Sequence, residues 1–177
     1  GNELEWLPSR QQVRVRSLQN HDQPVNEIQR GMRAAINLAG VELADVQRGQ
    51  ELVATGYLVP TRTLTVHLKG AADLRRPLKH RTPIRLHMGT AEVMGVVSLL
   101  EADDVPANVW CRAQLFLEEP VVATWGQPFV VRESSAQTTI GGGRVLQPIA
   151  QKIRRNDAHA LTMLHLLSDA HQPKGRI

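Results

Sequence analysis

Cysteine, aromatic residues and long apolar runs are all scarce in this sequence, and each scarcity excludes something. Cys111 is the only cysteine in 177 residues. No internal disulfide framework and no cysteine cluster for zinc can be built from it, and a reducing cytoplasm is the compartment that fits. Aromatic residues are 3% of the chain, with two Phe, three Trp and one Tyr. That supply cannot furnish both a core and a platform on which single-stranded bases stack. Apolar runs are as short as Val96-Val97 and Leu99-Leu100, against the ~20 residues of a membrane-spanning helix. No basic start followed by an apolar stretch marks a secretory leader. Charge of one sign is also in short supply. Lys+Arg 21 against Asp+Glu 17 leave +4, which is compatible with a polyphosphate partner without requiring one.

The remaining composition, 42% hydrophobic and 21% charged, is that of a globular chain. Glu3–Leu7 reads as a strand, with Pro8-Ser9 as the turn after it. Val13-Arg14-Val15-Arg16 and Leu18 alternate apolar and polar, as a half-buried strand does, and Asp22-Gln23-Pro24 breaks the pattern. Gly31 and Gly40 leave too little room for a helix between them, so Arg33–Ala39 is read as a strand, and Arg48–Val53 turns into another. From Thr61 the rhythm restarts. Thr63–Leu68, Ile84–Met88, Ala91–Leu100, Val109–Leu117, Phe129–Arg132 and Ile140–Leu146 are strand candidates, and Asp73–Arg81 reads as a long exposed basic loop. Many short strands separated by turn signals predict an all-β barrel or sandwich.

After Pro148 the period changes. Ala158, Leu161 and Leu164, with Leu166-Leu167, fall at helical spacing, Asn156 or Asp157 is the N-cap candidate, and the helix should end near Pro173. Charge is uneven over these pieces. Residues 1–60 carry six basic and seven acidic side chains, residues 61–148 ten and eight, and residues 149–177 five and two. Any phosphate-facing surface therefore depends on local clusters.

Arg33 through Gly40 followed by Arg48-Gly49-Gln50-Glu51-Leu52 resembles the second domain of elongation factor Tu and its relatives. Leu86–Val93, with Gly95-Val96-Val97 and Leu99-Leu100, resembles the third domain, and Thr139–Leu146 its closing strand. The wording is most similar to the selenocysteine-specific branch, the SelB factors, and the resemblance covers nearly the whole chain. It implies two antiparallel translation-factor β-barrels, the first over residues 1–60 and incomplete at its N-terminus, the second over 61–150. The start of a winged-helix domain follows over 151–177. An incomplete first barrel would leave open edges beside Glu3–Leu7 and invite self-association. The implied activity is delivery of selenocysteinyl-tRNA to the ribosome at a recoded UGA, with an mRNA hairpin read by later domains. GTP and Mg²⁺ would belong to a GTPase domain, because no G-x-x-x-x-G-K-[ST] run occurs here. These residues are accordingly expected to bind rather than catalyse. Another translational GTPase of the initiation-factor gamma type, or a β-barrel interaction module without an RNA role, are the alternatives.

The resemblance also assigns residues. Arg33 falls where elongation factor Tu touches the esterified amino acid. A selenol is ionised at neutral pH, and a guanidinium would favour that anion over the hydroxyl of serine by about 1.5–3 kcal/mol. By residue type alone Arg33 is a solvated arginine beginning a strand. His21 falls in the same pocket, and by itself is a turn histidine beside Asp22. Arg48 aligns with the arginine that meets the tRNA 5′ end, and is otherwise a turn residue before Gly49. Arg85 lies where the family contacts the T-stem backbone, and Arg75, Arg76, Lys79 and Arg81 lead to it. Such a run is equally a solvated loop. Met94 stands where the family has a hydroxyl. Gly141-Gly142-Gly143 precede a strand rather than a helix, which removes a phosphate-cradle reading and leaves a close backbone approach. No nucleophile, acid–base pair or metal-ligand spacing is visible.

Overall fold

Period-two alternation builds most of the molecule. In Pro83–Met88 the side chains of Ile84, Leu86 and Met88 are buried while Arg85 and His87 face outward, as a pleated strand with one wet face requires. The computed structural model describes residues 2–135 and 137–169, and the chain divides after Leu58 into two compact units.

The first unit is an open antiparallel sheet of five strands: β1 (Glu3–Leu7), β2 (Gln11–Asn20), β3 (Gln23–Val25), β4 (Ala35–Ala39) and β5 (Glu51–Val53). Arg14 of β2 pairs with Glu3 on one side and Ala39 on the other, so β2 is interior to the sheet. The edges expected beside Glu3–Leu7 are elsewhere. β1 is paired by β2 through Glu3–Trp6 and by β5 through Glu5–Leu7, and the strands with a single partner among the described residues are β3, β4 and β5. Trp6, Leu7 and Val13 are buried. An apolar groove of about 610 Å³ has Leu4, Leu18, Val25, Ile28 and Ile36 in its walls.

Three local readings change. Asp22-Gln23-Pro24 is not a plain break. His21 and Asp22, with φ of 49° and 61°, form a two-residue hairpin turn, and β3 resumes pairing at Gln23. Strand β4 begins at Ala35, leaving Arg33 outside it. Its partner β2 reaches Gln19 opposite Ala35 and then turns away at His21, so nothing is left for Arg33 to pair with. Arg48 and Gly49 likewise precede strand β5 as a turn.

The second unit contains β6 (Thr61–Gly70), β7 (Leu78–Lys79), β8 (Pro83–Met88), β9 (Ala91–Leu99), β10 (Asp104–Val105), β11 (Trp110–Val121), β12 (Pro128–Glu133), β13 (Thr139–Gln147) and helix α1 (Ala158–Asp169). Six of them close a barrel in the order β11-β6-β13-β12-β8-β9, with β9 pairing back to β11. Leu64, Val66, Leu68, Leu115, Val131 and Val145 are fully buried in its interior, each contributing about 1.5–3 kcal/mol of apolar burial. The triple glycine lies in β13 between β6 and β12. A Cβ on Gly142 would sit 2.8 Å from the Phe129 carbonyl oxygen and one on Gly143 1.9 Å from that of His67. Close backbone approach is therefore what these glycines serve.

The basic stretch Asp73–Arg81 is more structured than an exposed loop. Leu78 is buried, Leu74 packs on the core, and β7 pairs with β10. Helix α1 is capped by Asp157 and not Asn156, since Asp157 Oδ1 accepts the N–H of Ala160 at 3.0 Å. Its apolar face seats Leu164 on Leu100 and Leu146, with Leu161 and Leu167 beside it. Leu166 points away and is 62% exposed, because it lies off the stripe by most of a half-turn. The helix end expected near Pro173 lies outside the described residues.

Candidate nucleic-acid interface

In the first unit, the β2–β3 turn that follows from the short polar sequence Asn20–Asp22 exposes His21 at the rim of a groove of about 320 Å³. Val25, Gln29 and Met32 line the same groove. Gly31, with φ 90°, and the bond from Met32 N–H to the Gln29 carbonyl (3.1 Å) turn the chain there. Arg33 follows Met32 directly, is exposed, and has no hydrogen bond or ion pair to any described residue. The backbone therefore brings His21 and Met32 to one groove, with Arg33 next in sequence though not in its wall.

Arg48 occupies the turn Gln47–Gln50. Gln50 closes this turn by accepting from the Gln47 N–H at 2.6 Å and donating to the Asp45 carbonyl at 3.0 Å. Gly49 has φ 88°, the left-handed conformation that favours glycine. Strand β5 begins at Glu51 and pairs with β1, which fixes where the turn projects within its unit.

In the second unit the members of the expected basic cluster have different surroundings. Arg75 and Arg76 line a cavity of about 620 Å³ together with Asp73, Thr82, Glu133 and Thr138, so two carboxylates share its wall. Lys79 stands opposite Asp104 in the β7–β10 ladder. Arg81, with φ 64°, is an exposed turn residue whose N–H bonds the Val97 carbonyl at 2.8 Å. Arg85 is engaged: it pairs with Glu92 and donates to the Ser134 carbonyl at 3.0 Å. Its guanidinium therefore faces an internal anion, and Met94 is its cross-strand partner. The arginine bond holds the Glu92 carboxyl below the usual carboxylate range, with the charges of Arg85, His87 and Arg132 adding to it.

Two residues to which the sequence reading gave no binding role, His87 and Arg132, belong to this face. They are visible only through register. Arg132 of β12 is opposite Arg85 and Val130 is opposite His87, a relation between strands more than forty residues apart that no local pattern carries. No group of three or more His, Cys, Asp or Glu that would hold a metal occurs among the described residues. Cys111 is buried, and burial pushes its thiol up to about 11, which keeps it protonated at neutral pH.

An open strand sheet followed by a closed six-stranded antiparallel barrel, with arginines distributed over turns and outer faces, defines a barrel module of the translation-factor type. Solved SelB from Methanococcus maripaludis, in its apo form, superposes with a TM-score of 0.73 over 89% of this chain and 37% of its own, at 20% identity; this establishes the shared fold. The family model described as the selenocysteine-specific elongation factor, beta-barrel domain, matches residues 62–152. The chain is 31% identical over 163 residues to the selenocysteine-specific elongation factor of Desulfomicrobium baculatum, covering 92% of this chain and 26% of that protein. It is 32% identical over 143 residues to that of Escherichia coli, covering 80% and 21%. The chain belongs to the selenocysteine-specific elongation factor family, and it spans about a quarter of the length of these relatives. This family decides between the branches left open above, in favour of SelB over the initiation-factor type.

Proposed function

We propose that this chain is the part of a selenocysteine-specific elongation factor that holds selenocysteinyl-tRNA, with Arg33 reading the ionised selenium and His21 shaping the same pocket. The observation that carries this is the state of Arg33: exposed, without an internal counter-ion among the described residues, and next in sequence to Met32, which lines a groove together with His21. A guanidinium free of an internal counter-ion can accept a small anion without first breaking an ion pair. Arg48, on a rigid turn, would meet the 5′ phosphate of the tRNA. The second unit would position the T-stem backbone through charge alone, from Arg85 and from Arg75, Arg76, Lys79 and Arg81.

The ribosome, the mRNA hairpin and a cytoplasmic setting are proposed for the whole protein. GTP with Mg²⁺ belongs to that whole protein too. Gly141, Gly142 and Gly143 are packed between strands and no G-x-x-x-x-G-K-[ST] run occurs in the sequence, so the triple glycine does not serve as a phosphate loop.

The test compares binding of selenocysteinyl-tRNA and seryl-tRNA to this chain and to Arg33→Gln. Removal of a charge-assisted bond should erase about 1.5–3 kcal/mol of preference for the selenium cargo, leaving seryl-tRNA binding unchanged. Equal affinities for both cargoes in the unaltered chain would refute the role of Arg33.

A further inference from the structure

On the outer face of the closed barrel, Arg132 stands directly opposite Arg85 in the β8–β12 ladder. Like charges directly across a ladder are unfavourable unless an anion lies between them. One carboxylate serves the whole group. Arg85 Nη1 donates to Glu92 Oε1, and His87 Nδ1 lies 3.8 Å from Glu92 Oε2. Arg132 has no carboxylate partner among the described residues, and donates to the Gln137 carbonyl at 3.3 Å. Three further nitrogens, Arg85 Nε, Arg132 Nε and His87 Nε2, are buried without a partner. Buried donors left unmade are costly, so this cluster has both excess positive charge and unused hydrogen-bonding capacity.

Both guanidiniums are anchored independently of Glu92. The Ser134 carbonyl holds Arg85 at 3.0 Å and the Gln137 carbonyl holds Arg132, both from the β12–β13 hairpin. The forks therefore keep their orientation when the carboxylate leaves, which makes the seat preorganised. We propose that Glu92 is an internal stand-in for a phosphate, and that a phosphodiester of an RNA backbone occupies the seat of Arg85, His87 and Arg132 by displacing it. A phosphodiester presents one negative charge and two free oxygens, as the Glu92 carboxylate does. The seat is open rather than enclosed, with the Glu92 side chain 50% exposed and that of Arg85 29%. An open seat suits a large partner laid against the barrel and gives a small free anion little enclosure. The inference rests on the reading of this chain as a tRNA-binding module, and adds that its T-stem contact is self-masked, so that release of Glu92 sets the affinity of this face.

The experiment measures fluorescence anisotropy of a labelled RNA stem-loop at fixed low salt, against the unaltered chain, Glu92→Gln, Arg132→Gln and the double variant, with thermal melts confirming folding. Glu92→Gln should bind about three- to tenfold tighter, since an exposed competing ion pair is worth that order. Arg132→Gln should bind about three- to tenfold weaker and lower the salt slope by about one, and it should cancel the gain in the double variant. If the unaltered chain binds RNA while Glu92→Gln binds equally or less tightly, the masked seat is wrong and the tRNA reading stands. If neither the unaltered chain nor Glu92→Gln binds, the tRNA reading falls and takes the seat with it.

Discussion

The Gln114 side-chain oxygen accepts the backbone N–H of Ile153 at 2.9 Å, while its amide nitrogen donates to the Gln151 carbonyl at 2.8 Å. Gln114 lies on β11 with no exposed surface, facing out of the barrel toward Thr65, to which it also donates at 3.1 Å. The segment after the last strand is thus hydrogen-bonded to the barrel through the Gln114 side chain. Arg155 adds bonds to the Ala102 carbonyl and Asp103, and Arg112 links Glu101 to His165 and Ser168 of α1. Helix α1 is therefore fastened to the barrel along both the connector and its own face.

Gln114→Leu removes all three side-chain bonds while keeping the volume. The Gln151 carbonyl and the Ile153 N–H would lose their partner on the barrel, at an upper bound of about 1–3 kcal/mol for each, because both groups are only partly shielded from water. Urea unfolding should show a loss of about 2–4 kcal/mol, and the Ile153 amide should exchange with solvent much faster. An unchanged exchange rate at Ile153 would mean that the connector is held by other contacts.

Gly143→Ala tests the barrel seam. Its Cβ would meet the His67 carbonyl oxygen at 1.9 Å, whereas Gly89→Ala, at φ 59°, meets nothing nearer than 3.8 Å. The first substitution should cost more than about 4 kcal/mol, enough to prevent folding of the second unit. The second should cost about 1–2 kcal/mol for the left-handed backbone alone. Circular dichroism melts of the two variants decide the ranking.

His67 supplies an acid-side dependence. Its ring lies 4.4 Å from that of Trp110, and burial, with the Arg112 charge adding to it, lowers its pKa below the ordinary 6.5. Above 6.5 both folded and unfolded chains carry it neutral. Below that value the unfolded chain takes up a proton that the folded one resists, so stability falls as pH drops through the lowered folded pKa. Glu92 and Asp103, whose pKa values are lowered by their arginines, add a second loss in the carboxylate range. Melting temperature against pH should therefore decline in two stages, and His67→Gln should abolish the first.

Cys111 should resist alkylation at pH 8 in the folded chain and react fully in urea. Its thiol is buried and pushed up to about 11, so the reactive thiolate is scarce. Fast labelling under native conditions would show the barrel interior opening near β11.

Alternation was enough to find the long strands. Ile84-Arg85-Leu86-His87-Met88 announces itself because every second side chain is apolar, and the Asp157 cap of α1 is equally local. Strands β7 and β10 were not readable, because two residues each carry no period, and pairing of Leu78 with Val105 supplies what the sequence does not. The interface divides the same way. Arg33, His21 and Arg48 are placed by turns whose residues are neighbours in the chain. Arg85 appeared in the sequence at the end of a basic run; the β8–β9 hairpin set Glu92 beside it, and only pairing with the distant strand β12 brought Arg132.

The amino-acid order by itself determined the strand-rich class, the helical change of period after Pro148 and the lack of a phosphate loop, since all three depend on side chains a few residues apart. The tertiary structure alone decided that β1 is interior, that Gln114 clasps the connector and that Arg132 stands opposite Arg85. Those outcomes depend on register between distant strands, where a shift of one residue would turn each of these side chains to the opposite face.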